Sequence, residues 1–279
     1  MTTEPVGLIA GGRQLPVSAA RKVKAQGRPL VVAGLRGEAD PELRRLADHW
    51  LEVPLGQIEP LPPFFLRHGV RRVCMAGAIS RTTVVEAYEP DAAAIRLMES
   101  LPTLQTDAVL RAAAGWLETF GLELVSVVEL APEILIQPGQ LTRQAPAPEL
   151  LADLKLAFRL AKELGRLDCG QTAVVSDRIA VALEGADGTD ATIRRGAALC
   201  RKPVAVAKVV KPQQDLRLDL PVVGPETFET LVECGAGALA LDAGRLIMLE
   251  AEKCLSAADQ AGLAVVAWLD EPPRDGADA

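Results

Sequence analysis

One feature constrains this chain more than any other. Short β-branched runs alternate with longer segments whose apolar residues recur at helical spacing, the pattern of βαβ crossovers that build a parallel sheet. Val6 to Ala10 reads as a strand, Leu15 to Ala25 as a helix ended by Gly27, and Pro29 to Ala33 as the next strand. Leu43 to Leu46 read as helix, Trp50 to Val53 and Val70 to Gly77 as strands, and Ala92 to Met98 as helix. From Asp107 to Phe120, Val109, Leu110, Ala113, Trp116, Leu117 and Phe120 share one helical face, with Thr106 placed to cap it and Gly121 to stop it. ELVSVVEL, from Glu123 to Leu130, closes this half as a strand.

A composition shift follows. Pro132, Pro138, Pro146 and Pro148 crowd one stretch, so residues 1–131 are expected to form one domain, 132–148 a linker and 149–279 a second domain. The second half opens on a strong amphipathic helix, Glu149 to Leu164, and continues with the strand-like runs QTAVVS and RIAVALEG, paired around Ser176 and Asp177. A chain of 279 residues with 49% hydrophobic content supports two real cores. Its formal charge of −7 and 3% aromatic content offer neither a basic stripe nor stacking rings, so nucleic acid is not an expected partner. Five scattered cysteines without a CxxC suggest a reducing compartment, and the longest apolar run, Ala261 to Leu269, is far short of the ~20 residues of a membrane span. A cytoplasmic protein is expected.

Two stretches carry the chemistry. GLIAGGRQLP, Gly7 to Pro16, is a strand running through Gly11, Gly12 and Arg13 into a helix, where free backbone N–H groups favour an anion such as phosphate. The same glycines also suit a tight strand-to-helix turn with no ligand. GxGxxG spacing is absent, and VVAGLRGEAD shows no acid at the usual ribose position, which argues against a nicotinamide dinucleotide site. The second stretch, Glu184 to Asp219, holds five acids and seven bases inside an acidic chain. Hard carboxylates suit Mg²⁺ or Mn²⁺, while lysine and arginine offset phosphate charge. Here Thr189 and Asp190 open a helix, Asp190 serving either as a cap or as a functional acid. Asp215, Arg217 and Asp219 alternate, so an extended backbone would send all three to one face. Gln171 and Gln214 stand nearby as hydrogen-bonding groups, and Lys208 and Lys211 as cations.

Taken together, GLIAGGRQLP, MAGAISR (Met75 to Arg81), ELGRLDCGQTAVVS, GTDATIRR and VAKVVKPQQDLRLDLPVVGPETFE resemble one family through nearly the whole chain. It is the UDP-2,3-diacylglucosamine pyrophosphatase family of the LpxI type. The resemblance implies an α/β fold, with a Rossmann-like N-terminal domain and a family-specific α/β C-terminal domain, and a lipid product held between them. It implies metal-dependent hydrolysis of UDP-2,3-diacylglucosamine to UMP and 2,3-diacylglucosamine 1-phosphate (lipid X) in lipid A biosynthesis. Asp215, Asp219 and Asp190 are then the expected catalytic residues, with Asp215, Asp219 and Glu184 as metal ligands. Gly11, Gly12, Arg13, Gln171, Thr189, Lys208, Lys211, Gln214 and Arg217 are the expected substrate contacts. Transient contact with the cytoplasmic face of the inner membrane and a homo-oligomer are also expected.

The sequence departs from the family pattern at several points. Gln105, Thr106, Asp107 and Ala108 stand where relatives show Gly-Asp-Asp-Ala, Ala78, Ser80 and Thr82 surround Arg81, Asp187 replaces a glutamate, and Arg13 replaces the third glycine of the first turn. These departures motivate an alternative, a non-catalytic relative that binds a nucleotide sugar or glycolipid.

Overall fold

The computed structural model describes residues 4–80, 85, 87–103, 106–215, 217–218 and 221–272; of Thr106, Asp107 and Glu133 only the backbone is described. The chain divides into two compact units, Met1–Pro132 with Asp215–Asp219, and Glu133–Gln214 with Leu220–Ala279.

In the first unit the chain runs β1 (Val6–Ala10), α1 (Gln14–Ala25), β2 (Leu30–Leu35), α2 (Pro41–Leu46), β3 (His49–Val53), α3 (Leu61–Arg67) and β4 (Arg72–Ala76). It continues through α4 (Ala92–Glu99), α5 (Thr106–Glu118), β5 (Glu123–Val125) and α6 (Val127–Leu130). The strands form one parallel sheet in the order β3-β2-β1-β4-β5, as the alternation predicts. β1 is buried along its whole length, and β2 is buried up to its last residue. This is why their sequences are uninterrupted apolar runs and not alternating ones. Phe64, Phe65, Val70, Val73, Leu117 and Leu122 fill the core on one face. Because strand order reverses between β1 and β4, a crevice is expected at their carboxyl ends, the usual ligand position in open α/β sheets.

The ELVSVVEL segment departs from expectation. Only Glu123–Val125 is strand, because Ser126 and Glu129 form a reciprocal capping box that starts α6 at Val127. Ser-x-x-Glu satisfies two backbone donors of a helix start, and that outweighs the β-branched character of the valines. The paired prolines and buried phenylalanines of α3 likewise make a helix that periodicity alone did not mark.

The second unit runs β6 (Gly139–Gln140), α7 (Pro148–Arg166), β7 (Thr172–Ser176), β8 (Ile179–Leu183), α8 (Thr189–Ala198) and β9 (Ala205–Lys208). Then come β10 (Val222–Val223), α9 (Pro225–Glu233), β11 (Ala238–Asp242), β12 (Ile247–Met248), α10 (Ala251–Ala261) and β13 (Ala264–Trp268). Six strands form a mixed sheet in the order β6-β13-β11-β9-β7-β8, and β10 pairs with β12 separately. β9, β11 and β13 are parallel, whereas β7 is antiparallel to both β8 and β9. α7 lays Leu154, Ala157, Phe158 and Ala161 on the sheet, against Ala173, Val175, Ala207 and Ala240.

The expected pairing of β7 with β8 is present, and its turn has a specific support. Asp177 and Arg178 both adopt positive φ, 50° and 61°, a geometry that ordinarily selects Asn-Gly. Buried Asp153 of α7 accepts from both of their backbone N–H groups, at 2.9 and 2.7 Å. A carboxylate gripping two amides thus holds a turn whose own residues do not favour it.

Candidate functional site

The candidate residues of the first unit's glycine turn lie at the carboxyl end of β1, the central strand of its sheet. In the first unit, Gly11 N donates to Ala76 O at 2.9 Å, Gly12 N donates to Ala78 O at 2.7 Å, and Ala78 N donates back to Gly12 O at 3.1 Å. The glycine amides are therefore engaged by the loop after β4. A Cβ on Gly11 would lie 2.7 Å from Ala78 O, and one on Gly77 only 2.6 Å from Gly12 O. Close approach of two backbones explains these glycines. Arg13 is the N-cap of α1 with φ of 70°, in the left-handed region that favours glycine, and its side chain is exposed. A glycine would adopt that geometry without strain.

An acid does reach this turn, although none stands at the end of β2. Glu38 lies in the following turn, accepts from Ser80 N at 2.9 Å through Oε1, and carries Oε2 2.8 Å from where a Gly12 Cβ would sit. The sequence reading missed it because the connection after Leu35 folds back on the glycines, which is not visible in strand spacing.

Asp215 to Asp219 groups with the first unit. The stretch does not extend: Arg217 and Leu218 form a turn in which Leu218 N donates to Asp215 O at 2.9 Å. Arg217 wraps back on Asp215, with N and Nε donating to Oδ1 at 3.0 and 3.1 Å and Nη2 to Oδ2 at 2.9 Å. Glu118 of α5 lies 3.7 Å from the same guanidinium. The Arg217 hydrogen bond, outweighing partial burial, holds the Asp215 carboxyl below its usual range. The expected common face is thus replaced, for its first two members, by a chelated Asp–Arg pair. Asp219, Arg81, Thr82 and Gln105 lie outside the described residues.

In the second unit the polar groups gather where β8 ends, β7 begins and α8 starts. Glu184 is buried, accepting from Gln171 N at 3.2 Å through Oε2 and from the Thr189 hydroxyl at 3.2 Å through Oε1. Fully buried Thr172 meets the Thr189 hydroxyl at 3.2 Å. Gly170 is required beneath them, because a Cβ there would lie 2.3 Å from Glu184 O. Asp187 and Arg195 clamp the connecting loop at 2.9 Å, and this hydrogen bond lowers the Asp187 carboxyl to about 2. The cap of α8 is Gly188, with φ of 82°, so Asp190 is not the cap but sits in the first turn. There its charge favours the helix dipole. The Oδ1 of Asp190 and the Oε1 of Gln171 are buried without a hydrogen-bond partner among the described residues. Such atoms carry a desolvation cost of about 1–3 kcal/mol each, which a ligand donor or cation would relieve.

Lys208, at the end of β9, is buried and donates to Val222 O at 2.9 Å. It lies across the β7–β9 ladder from Thr172. Lys211 pairs with Asp168 at 2.9 Å, an interaction that lowers the Asp168 carboxyl, and Gln214 N donates to Lys211 O at 3.1 Å. Thus Gln171, Glu184, Thr189 and Asp190 come together and Lys208 borders them, while Asp215 and Arg217 belong to the other unit. Thr172 was missed, since a threonine inside a β-branched strand carries no distinguishing signal.

Among the described residues, no group of three histidine, cysteine or acidic side chains could hold a metal ion, so they do not by themselves complete a cation cage. No helix among them is long and apolar enough to cross a membrane.

The class these features define is a two-unit α/β protein: a Rossmann-like parallel sheet with a glycine turn engaged by its own backbone, and a mixed sheet carrying a buried glutamate, Glu184, and a buried lysine, Lys208. Residues 5–134 match the LpxI N-terminal domain and residues 137–266 the LpxI C-terminal domain. The chain belongs to the LpxI family. It is similar to the UDP-2,3-diacylglucosamine pyrophosphatase LpxI of Caulobacter vibrioides, 36% identical over 272 residues that cover 94% of this chain and 96% of that one.

Proposed function

We propose that this protein hydrolyses the pyrophosphate bond of UDP-2,3-diacylglucosamine, giving UMP and 2,3-diacylglucosamine 1-phosphate (lipid X) in lipid A biosynthesis. The observation that carries this reading is similarity along 94% of the chain to a protein named for that activity. In the proposed reaction, water attacks the phosphorus nearer the sugar. Its oxygen stays on the sugar phosphate, and the bridging oxygen leaves with UMP.

Asp215, or Asp219 in the same string, orients that water. Arg217, already drawn onto Asp215, pre-positions the carboxylate and offsets charge on the diphosphate, as do Lys208 and Lys211. Asp190, Gln171, Thr189 and Gln214 supply hydrogen-bonding groups for the substrate. Gly11, Gly12 and Arg13 face the uridine side, and with the glycine amides engaged internally, Arg13 is the group that reaches the phosphates.

A requirement for Mg²⁺ or Mn²⁺ belongs to the proposal, with the Asp215 and Asp219 carboxylates as candidate oxygen donors, while Glu184 is engaged by Gln171 N and the Thr189 hydroxyl. Bound there, the ion would neutralise charge on the diphosphate. Transient contact with the cytoplasmic face of the inner membrane is part of the same reading, because the acyl chains must be withdrawn from a bilayer.

Purified protein incubated with UDP-2,3-diacylglucosamine and Mg²⁺ should release UMP, and EDTA should abolish the release. Absence of UMP under both Mg²⁺ and Mn²⁺ would overturn the assignment. Substrate binding without turnover would establish the alternative, a non-catalytic relative, which the changes at Arg13 and Gln105–Ala108 favour.

A further inference from the structure

A cavity of about 600 Å³ opens in the second unit, lined by α7, by Pro212 and Arg245, and by residues 270–272 after β13. Lys155, Arg159, Lys162 and Arg166 all reach it from one face of α7, at spacings of four, three and four. Arg245 reaches it from the loop after β11. Arg166 pairs with Glu163, but Arg159 and Arg245 make no ion pair or hydrogen bond among the described residues. The site is built and not merely basic. Asp242, fully buried at the end of β11, fixes Lys162 at 2.7 Å through Oδ2 and also accepts from Val210 N at 3.0 Å. Its second oxygen, Oδ1, is buried with no hydrogen-bond partner among the described residues. The Lys162 ammonium is also held 5.3 Å over the Phe158 ring, and Phe158 lines the cavity.

Five bases line this space against three acids, Glu163, Asp270 and Glu271. With Asp242 behind Lys162 counted as well, a small positive surplus remains, which suits a compact anion and is too small for an extended polyanion. Two unpaired guanidinium forks favour tetrahedral oxyanions, which they bind bidentately. We propose that this cavity is a binding site for a phosphate monoester, held by Arg159 and Arg245 with Lys162 as a fixed third cation. None of its lining residues is among those assigned to the hydrolytic site, although Pro212 adjoins Lys211, and the proposal does not rest on the pyrophosphatase reading. Both a soluble phosphate monoester and the headgroup of a phosphatidic acid present this chemistry.

The test uses the full chain. Titration with glycerol 3-phosphate by calorimetry reads the soluble source, and co-sedimentation with phosphatidylcholine vesicles, with and without phosphatidic acid, reads the lipid source. Binding in either arm that Arg159→Gln with Arg245→Gln weakens roughly tenfold or more supports the site. Hydrolysis of UDP-diacylglucosamine should be unchanged in that double variant. Thermal unfolding confirms that it folds; should it not, Arg159→Lys with Arg245→Lys, which keeps the charge but loses the forks, carries the same test. Wild-type binding in neither arm, or equal binding by the variant, overturns the proposal. A parallel loss of UMP release also overturns it, because the cavity would then be part of the reaction site.

Discussion

The two glycine-bearing edges of the molecule look alike in sequence and differ in what their polar groups do. At the β1–α1 turn the glycine amides are satisfied by the backbone of residues 76 and 78, so Gly11 and Gly12 serve the packing of two chain segments. At the β7–β8–α8 junction, Gly170 also serves close packing, but around it Asp190 and Gln171 each bury an oxygen that no described residue satisfies. A glycine-rich turn therefore reports backbone proximity. Unsatisfied buried acceptors report a cost that folding alone does not repay, and they are the better guide to a ligand.

The comparison can be broken most directly through Asp215, the acid that the second half of the sequence contributes to the first unit. Asp215→Asn should reduce UMP release by about 10²–10³, the scale of losing one charged stabilising group, with little change in melting temperature. Unchanged release would remove this residue from the mechanism. Next come the glycines. Gly170→Ala and Gly11→Ala both force a Cβ against a backbone oxygen, at 2.3 and 2.7 Å, and each should lower stability in urea by about 2–3 kcal/mol. A neutral Gly11→Ala would show that its turn is open and restore the phosphate-cradle reading.

Asp190→Asn sharpens the contrast from the other side. Its amide loses the charge but keeps the shape, so turnover should fall about tenfold while stability stays within about 0.5 kcal/mol, as a ligand-directed carboxylate requires. Arg13→Gly relieves a positive-φ arginine and should stabilise the first unit by about 1 kcal/mol, measured by urea unfolding. A rise in KM without change in kcat would accompany it if Arg13 grips the substrate phosphates.

The smallest effect is on pH. Asp187 and Asp215 have lowered carboxyl values in the folded state, through Arg195 and Arg217 respectively. Their stabilising contributions are complete above the ordinary carboxylate value of about 4 and are lost as pH falls through the lowered folded values. Melting temperature should therefore be insensitive to these pairs from pH 5 to 7 and decline below pH 4. The decline should be shallower in Arg195→Gln, which removes one pair.

Much of the fold was legible because burial on both faces writes parallel strands as plain apolar runs. β1, β2, β3 and β4 are found where the sequence places them, to within a few residues. Segments whose structure depends on caps were not legible in that way: Ser126 and Glu129 turned an expected strand into helix. At the candidate site, Glu184, Thr189 and Asp190 were identifiable from their charge and their place before a helix. Thr172, Glu38 and the pair of Lys162 with buried Asp242 were not singled out, although Asp242, an acid closing the apolar run ALAL, was a signal available to be read.

What the sequence determined by itself is the alternating α/β architecture, set by the period of apolar residues, and the family, set by strings such as KPQQDLRLDLP whose residue identities survive without coordinates. Tertiary structure alone decided which of those polar residues are spent within the protein. Arg217 turns back onto Asp215, Lys211 is taken by Asp168, and the Gly12 amide is taken by Ala78, while Asp190 keeps a buried oxygen open. The reason is that a side chain's charge is written in its codon, but its partner, two residues away for Arg217 and 43 for Lys211, is chosen only when the chain turns and packs.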